Sequence, residues 1–401
     1  MVSSRLNPKK AFLPLAFMDS EDNPWSIIIL VTTIILVAAG LVMVTSASMV
    51  SSMKRFGDPD FFFKRQLLFS LVGLGLMIVT SNLPLRLIRK LTLPLLLISL
   101  IGLVLCLTPL ATTVKGASRW ISIGIFNFQP SEPAKLAIIF YIAHSMGRKV
   151  EKIKSFTVGF LPHCIVALVF ALLCIREPDF GAASMIMLLC FVLLFIGGTR
   201  LGYILASFLA MAPAIVIAIT LSPYRMRRLV SFLYPEKDAL GLNYQINESL
   251  ISIGSGGIFG KGIGEGKQKL FFLPDAHTDF IASIVGEETG LVGVALMLLL
   301  FAVLVYAGLR IALRCKDLFA MYLASGIALF LGFQVAINLG VVMGLLPTKG
   351  MTLPFLSYGG SSLMTNLFAV GVLLAIGKRL GEQEGAAAAE PLLQQEGESE
   401  T

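Results

Sequence analysis

Charge is scarce in this chain. Of its 401 residues only 14% are charged while 56% are hydrophobic. A water-soluble domain carries about a quarter charged residues, so a soluble globular class is excluded. Histidine is scarcer still, at three residues, and tryptophan is limited to two. The five cysteines (Cys106, Cys164, Cys174, Cys190, Cys315) lie in or beside apolar runs and show neither zinc nor disulfide spacing. They read as small apolar filler rather than as ligands or staples.

What replaces charge is a series of long uncharged runs, over 26–53, 66–85, 91–114, 136–147, 155–175, 180–199, 201–224, 289–309, 318–348 and 350–377. Nine have the twenty residues that cross a roughly 30 Å hydrocarbon core at about 1.5 Å per residue. The short run, 136–147, reaches that length once Glu132 and Lys135 are included, and the eighth extends upstream to Phe280. The expected fold is an all-α polytopic membrane protein with ten transmembrane helices. The first run is too long for a signal-peptide core and reads as a retained helix.

Ten helices put both termini on one side. With the N-terminus inside, the inner segments hold sixteen Lys and Arg residues and the short outer loops hold eight. The positive-inside bias therefore supports an N-in, C-in topology. Residues 1–24 read as a cytoplasmic tail and 25–381 as the membrane domain. Residues 382–401, with six glutamates and no basic side chain, read as a disordered acidic cytoplasmic tail. The net charge of +8 follows from the inward bias and from lipid phosphate, and nothing points to nucleic acid.

One large extracytoplasmic loop, 225–279, separates helices 7 and 8. It opens on a basic amphipathic turn (Arg225, Arg227, Arg228) and continues with Ile246, Leu250 and Ile253 at helical spacing, the pattern of a short helix lying on the membrane. Seven of residues 254–266 are glycine. Neither Gly260-Lys261 nor Gly266-Lys267 has the upstream glycine or the following Ser/Thr of a phosphate-binding P-loop. The segment reads as a flexible hinge or as backbone that must approach something closely.

Ionisable groups at membrane depth are functional candidates by default. Glu132 and Lys135 stand three apart on one helix face, either a structural ion pair or part of a polar cavity. Arg119 stands in the preceding outer loop, suited to anchoring at the headgroups or to a two-point grip on phosphate. Asp179 ends the turn Arg176-Glu177-Pro178-Asp179 at the point nearest the membrane core. Asp275, His277 and Asp279 alternate ahead of the eighth helix, and Glu287 and Glu288 follow inside it. A helix starting near Asp279 would place Glu287 about 12 Å deeper and Glu288 on the opposite face. The glutamates therefore cannot share a site with Asp279, which has its own alternative role as an N-cap. His277-x-Asp279 offers only two metal ligands. A last outer stretch, Leu346 to Ser362, has two prolines, Ser357, and four small residues at 359–362 that include Ser361. Irregular backbone of this kind at membrane depth must line protein or a cavity. The four polar groups share one side, as a site for an amphiphile with a polar head would require.

Several stretches carry a family resemblance: Lys115-Gly116-Ala117-Ser118-Arg119-Trp120-Ile121, Gln129-Pro130-Ser131-Glu132-Pro133-Ala134-Lys135, Glu177-Pro178-Asp179-Phe180-Gly181, His277-Thr278-Asp279-Phe280-Ile281 with Gly286-Glu287-Glu288, and Ser357-Tyr358-Gly359-Gly360-Ser361-Ser362. Over Trp25 to about Leu380 the chain resembles the SEDS proteins (shape, elongation, division and sporulation), peptidoglycan polymerases with ten transmembrane helices. Gly40 to Ser48 and Pro347-Thr348-Lys349-Gly350 resemble the cell-division branch more than the elongation branch. Asp275 departs from the family, which usually has glutamate there.

The resemblance implies a glycosyltransferase that acts on lipid II in the inner (cytoplasmic) membrane at the division septum. It implies that nascent glycan on undecaprenyl diphosphate is transferred to the GlcNAc 4-hydroxyl of lipid II. Asp279 matches the essential aspartate of the family. Arg119, Glu132, Lys135 and Asp179 match polar cavity residues, and His277, Lys349, Ser357 and Ser361 are the remaining expected substrate contacts. A divalent cation, Mg or Mn, is a further expectation, with no complete ligand set in the sequence. The expected partners are a class B penicillin-binding protein (a transpeptidase) and other divisome membrane proteins. The rival readings are a lipid II flippase or other transporter, which Gln334 and Asn338 in an apolar helix would fit, and a scaffold. No inverted repeat of interrupted helices supports transport.

Overall fold

A computed structural model with side chains describes residues 23–114, 117–124, 126–148, 152–221, 223–234, 243–270, 273–274, 276–347 and 350–399. The first 22 residues of the N-terminal tail, Asp275 and Lys349 lie outside the described residues.

The chain opens on α1 (Pro24–Phe56). Asn23 accepts from Trp25 N–H, Pro24 stands at the first helical position, and Gly57 closes the helix at φ 71°. Then come α2 (Phe61–Ser81), the short α3 (Leu85–Lys90) and α4 (Thr92–Cys106). A three-stranded antiparallel sheet follows, β1 (Ala111–Val114), β2 (Ala117–Ile123) and β3 (Phe126–Phe128), in the order β1-β2-β3. The remaining helices are α5 (Ser131–Arg148), α6 (Leu161–Arg176) with a π-helical turn ahead of it, α7 (Phe180–Ile196) and α8 (Leu201–Thr220), then α9 (Pro223–Leu233), α10 (Tyr244–Gly256), α11 (Ile281–Arg314), α12 (Leu318–Val342) and α13 (Gly360–Ser399).

Every one of the ten uncharged runs overlaps a helix, and among the described residues six helices are long and apolar enough to cross a membrane. Two expectations need correction. The fold is mostly helical rather than all-α, because the run 91–114 leaves its helix at Cys106. The stretch beyond it is rich in β-branched and aromatic residues (Thr112, Thr113, Val114, Trp120, Ile121) and pairs as strands. Residues 382–399, expected without structure, continue α13 as helix. Their Ala, Glu, Gln and Leu residues are strong helix formers, and a helix needs no core partner to satisfy its backbone.

Helices α5, α12 and α13 occupy the centre. From Leu136 to Ala143 all but one residue of α5 is buried, and α5 packs on α12, α4 and α7 while α13 packs on α2. The rim exposes large apolar side chains such as Leu97, Ile98 and Ile101 on α4 and Leu205, Phe208 and Leu209 on α8. Apolar surface on that scale suits lipid, not water. At one end of the bundle Arg89 grips both carboxylate oxygens of Asp317, the N-cap of α12, at 2.8–2.9 Å. The polar outer segments gather at the other end.

The long loop is folded into the bundle. Helix α10 lies where the spacing of Ile246, Leu250 and Ile253 predicts a short helix. Its small residues Ser249, Ser252 and Gly256 face inward, and Leu250 and Ile251 face out. Ser249 Oγ donates to Val342 O at 2.7 Å and lies 2.7 Å from Ser283 Oγ of α11, and Ser252 Oγ donates to Ser283 O.

Beyond α10 the glycine segment lays its backbone against α11. It straps a break in α11 at Gly290 (φ 65°, ψ −164°). Lys261 and Gly262 N–H donate to the carbonyls of Glu287 and Glu288, while Leu291 and Val292 N–H donate to those of Gly257 and Ile258. The strap thereby supplies hydrogen bonds that the interrupted helix lacks. The two backbones come so close that a Cβ on Gly260 would collide with Glu288 O and one on Gly290 with Gly260 N. Glu287 and Glu288 are buried under the strap. Glu287 accepts from Lys261 Nζ (2.9 Å) and from Lys267 and Gln268 N–H. Glu288 accepts from Lys269 Nζ (2.7 Å), Gly264 N–H and Ser46 of α1. They are structural anchors.

Gly260→Val adds a side chain at φ 80° into the Glu288 carbonyl, so it should destabilise the protein by more than about 2 kcal/mol. Gly254→Ala in α10 meets open space and should be neutral or stabilising by up to about 1 kcal/mol. Thermal unfolding of both variants in detergent checks the contrast.

Candidate functional site

Four segments converge at the polar end: β2 with Arg119, the turn 177–179, the segment 276–280 ahead of α11, and the irregular stretch 350–359 ahead of α13. The last two are zipped together. Tyr358 N–H donates to His277 O (2.9 Å), Ser357 Oγ to Thr278 O (2.5 Å), and Asn338 Nδ2 of α12 to Asp279 O (2.9 Å). Three consecutive carbonyls are thus satisfied by one neighbouring unit. Helix α11 starts at Ile281 with Phe280 at the cap position, so Asp279 stands before the helix and is not its N-cap.

The central contact is at Gly350. A Cβ built there would lie 3.3 Å from Asp279 Oδ2 and 3.7 Å from Arg119 NH1. An anion and a cation thus face one bare stretch of backbone, where any larger residue would intrude. Arg119 is itself held in place: its Nε donates to Glu177 O (3.2 Å) and its NH2 to Pro178 O. The guanidinium ties β2 to the α6–α7 turn and leaves NH1 toward Asp279.

Glu132 and Lys135 form a buried pair in the first turn of α5, with Nζ 2.8 Å from Oε1. Lys135 Nζ also lies 5.7 Å from the Phe330 ring centre. Lys135 is 3% exposed, and Glu132 Oε2 has no partner among the described residues. Asp179 is fully engaged. It caps α7 through Ala182 N–H (3.0 Å), and its other oxygen accepts from Ser131 Oγ (3.0 Å) and Gln129 Nε2 (3.2 Å).

Ser357 and Ser361 were expected to face substrate, but the structure commits their hydroxyls to backbone. Ser357 accepts from Leu353 N–H and donates to Thr278 O. Ser361 accepts from Gln129 N–H and donates to Asn127 O, which ties α13 to β3. The reason is local: both stand where irregular backbone leaves donors and acceptors open. His277 is packed between Phe62 and Tyr358, with ring centres at 4.6 and 5.9 Å. Among the described residues no group of three His, Cys, Asp or Glu side chains is placed to hold a metal ion.

Two residues escaped sequence reasoning. Asn338 counted only as a polar residue in an apolar helix, and that rarity was its one signal. Glu177 is 0% exposed with neither carboxylate oxygen hydrogen-bonded among the described residues. Burial pushes its carboxyl up to about 8, Asp179 pushes the same way, and the Arg119 guanidinium opposes them.

With this geometry in hand, the chain was compared with known proteins. The cell cycle protein family of FtsW, RodA and SpoVE matches residues 26–381. The chain is 46% identical over 353 residues to the probable peptidoglycan glycosyltransferase FtsW of Trichlorobacter lovleyi, covering 88% of this chain and 93% of that one. It is 42% identical over 362 residues to the stage V sporulation protein E of Bacillus subtilis, covering 90% and 99%. Among solved structures it is similar to a chain of a peptidoglycan synthase complex that coordinates polymerization and crosslinking, with a TM-score of 0.73, 30% identity and coverage of 88% and 97%. It is also similar to the rod shape determining protein RodA of Thermus thermophilus, with a TM-score of 0.63, 29% identity and coverage of 88% and 96%.

Glu177 generates a test by linkage. Its pKa is higher folded than unfolded, so the folded protein holds the proton more tightly. Stability is lost as pH rises from the ordinary carboxylate range through about 8, at most about 1.4 kcal/mol per pH unit. Glu177→Gln removes that loss. Its unfolding midpoint should exceed that of the parent at pH 8.5, and the gap should close near pH 5. An equal gap at both pH values refutes the assignment.

Proposed function

The chain belongs to the FtsW, RodA and SpoVE family of cell cycle proteins, and on that premise we propose that it is the peptidoglycan glycosyltransferase of the division septum. It polymerises lipid II. The observation that supports the site assignment is that Asp279 Oδ2 and Arg119 NH1 both lie within 4 Å of the space a Cβ would fill at Gly350. In this reading a proton acceptor and a phosphate-gripping cation face the same space.

The acceptor GlcNAc 4-oxygen forms a bond to C1 of the donor MurNAc with inversion. The C1–O bond to diphosphate breaks, and its electron pair leaves with undecaprenyl diphosphate. Asp279 takes the hydroxyl proton. The leaving group needs charge neutralisation rather than a proton, so one carboxylate suffices where a glycoside hydrolase needs two. Arg119, and Lys135 from its buried pair, stabilise the diphosphate as it departs. Glu132 holds Lys135. Asp179, His277, Ser357 and Ser361 shape the cavity walls through the contacts described above. Among the described residues no group of three His, Cys, Asp or Glu side chains is placed to hold the Mg or Mn ion, and no step is routed through one.

The protein is a multi-pass membrane protein. The finer reading is that the ten helix-bearing runs are ten spans of the inner membrane, with both termini inside. The pairing of Arg89 with Asp317 at one end and of Arg119 with the 177–178 carbonyls at the other supports this alternation. The partner proposed is a single-pass class B penicillin-binding protein, because the similar synthase complex couples polymerization to crosslinking. Other divisome membrane proteins would assemble with the pair. A flippase is the second reading, but the polar groups gather at one end of the bundle, whereas transport needs access from both.

Asp279→Asn should abolish glycan formation from labelled lipid II by purified, folded protein. Undiminished polymer would sink the base assignment. Lys135→Ala should lower the rate by about 100- to 1000-fold with folding intact, the range for one lost electrostatic stabiliser. Unfolding of that variant would make the pair structural. Transbilayer movement of lipid II in liposomes, without polymer, would favour the flippase.

A further inference from the structure

We propose that Asn338 is the positioning residue of this site, the group that sets where Asp279 stands relative to Gly350 and Arg119. The inference rests on the reading of Asp279 as the base. Asn338 lies in the last turns of α12, 1% exposed, in a mostly apolar helix whose other amide side chain is Gln334. A carboxamide there is costly unless its donors are used. Both hydrogens of its Nδ2 are spent on backbone carbonyls, Asp279 O at 2.9 Å and Met351 O at 2.7 Å. Those two carbonyls belong to different segments. One is that of the base itself. The other is next in sequence to Gly350, where Asp279 Oδ2 and Arg119 NH1 meet.

A single rigid amide therefore bridges the two irregular stretches that form the reacting point and fixes their separation. The other two bonds across the zip, from Tyr358 N–H and Ser357 Oγ, fall at His277 and Thr278, two residues and one residue short of the base. Asn338 bonds to the backbone of Asp279 itself. The amide cannot flip, because its oxygen would then face two carbonyl oxygens. Helix α12 is also the rigid reference. It packs on α5, which carries Lys135, so the base is registered against the helix that bears the phosphate-side cation. A base displaced by about 1 Å costs on the order of a hundredfold in rate. Substrate binding through Arg119 and Lys135 would be untouched.

The test uses the purified full-length protein and labelled lipid II. Asn338→Leu keeps the volume and removes both donors. Asn338→Asp keeps the shape and at most one donor, and it serves where the leucine variant does not fold. Gln334→Leu, one turn away and bonded to Asn366 of α13 rather than to either segment, is the control for a merely structural polar residue. The expected result is a 10- to 100-fold fall in kcat for the Asn338 variant with KM for lipid II within threefold of the parent and kcat near normal for Gln334→Leu. A folded Asn338 variant with kcat within threefold of the parent, beside an inactive Asp279→Asn, overturns this inference and leaves the base assignment standing. Equal kcat losses in the Asn338 and Gln334 variants overturn it as well. An active Asp279→Asn removes the base reading, and with it the ground for this one.

Discussion

Backbone polar groups at membrane depth have no water to turn to, and the rest of this structure depends on how three interruptions are satisfied from within. Each unpaired N–H or C=O in hydrocarbon costs several kcal/mol, so a break in a helix survives only where protein supplies the missing partners. At Gly290 the partner is the glycine strap, whose amides and carbonyls continue the ladder that α11 drops. At 276–280 and 350–359 the two irregular stretches serve one another, with Ser357, Tyr358 and Asn338 as the links. The polar chemistry of the site is built on backbone that could not exist there without these pairings.

The same rule governs the acids. A buried carboxylate persists when it is paired and hydrogen-bonded. Glu287 and Glu288 each meet a lysine and backbone amides from the strap, so two costly charges help to close the break beside them. Asp179 does its work with neutral donors, capping α7 while it holds Gln129 and Ser131. Glu177 has no such partners among the described residues, and its carboxyl shifts toward the neutral form instead. Within three residues of one turn, two acids reach the two opposite solutions to burial.

Much of the fold was legible because lipid exposure writes itself into composition. The uncharged runs located helices, and a helical turn counted from Asp279 separated Glu287 and Glu288 from the site. The Glu132–Lys135 pair followed from spacing on one face. What stayed hidden depends on partners distant in sequence. The strap and the break in α11 read separately as a glycine-rich hinge and an unbroken helix, because neither shows a local sign of the other. The strands after Cys106 were masked by an uncharged run that continued past the helix end. Asn338 stands 59 residues from the carbonyl it holds, and its presence in an apolar helix signalled importance without naming a role. Ser357 and Ser361 stood in the right motif, yet motif membership does not distinguish a side chain that holds backbone from one that meets substrate.

Counting hydrogen-bond capacity does make that distinction. Ser357 and Ser361 each spend donor and acceptor on the chain itself, and Asp179 accepts three bonds from its neighbours. Such groups can shape a cavity but have little left for a ligand. Arg119 is different. It presents more N–H groups than its two backbone partners use, and NH1 is the atom that reaches the shared space above Gly350. Lys135 has three donors and one carboxylate partner, and that partner keeps an oxygen without a bond among the described residues. The cations therefore hold the spare capacity. A reaction whose leaving group is a diphosphate, needing charge rather than a proton, calls for capacity of that kind.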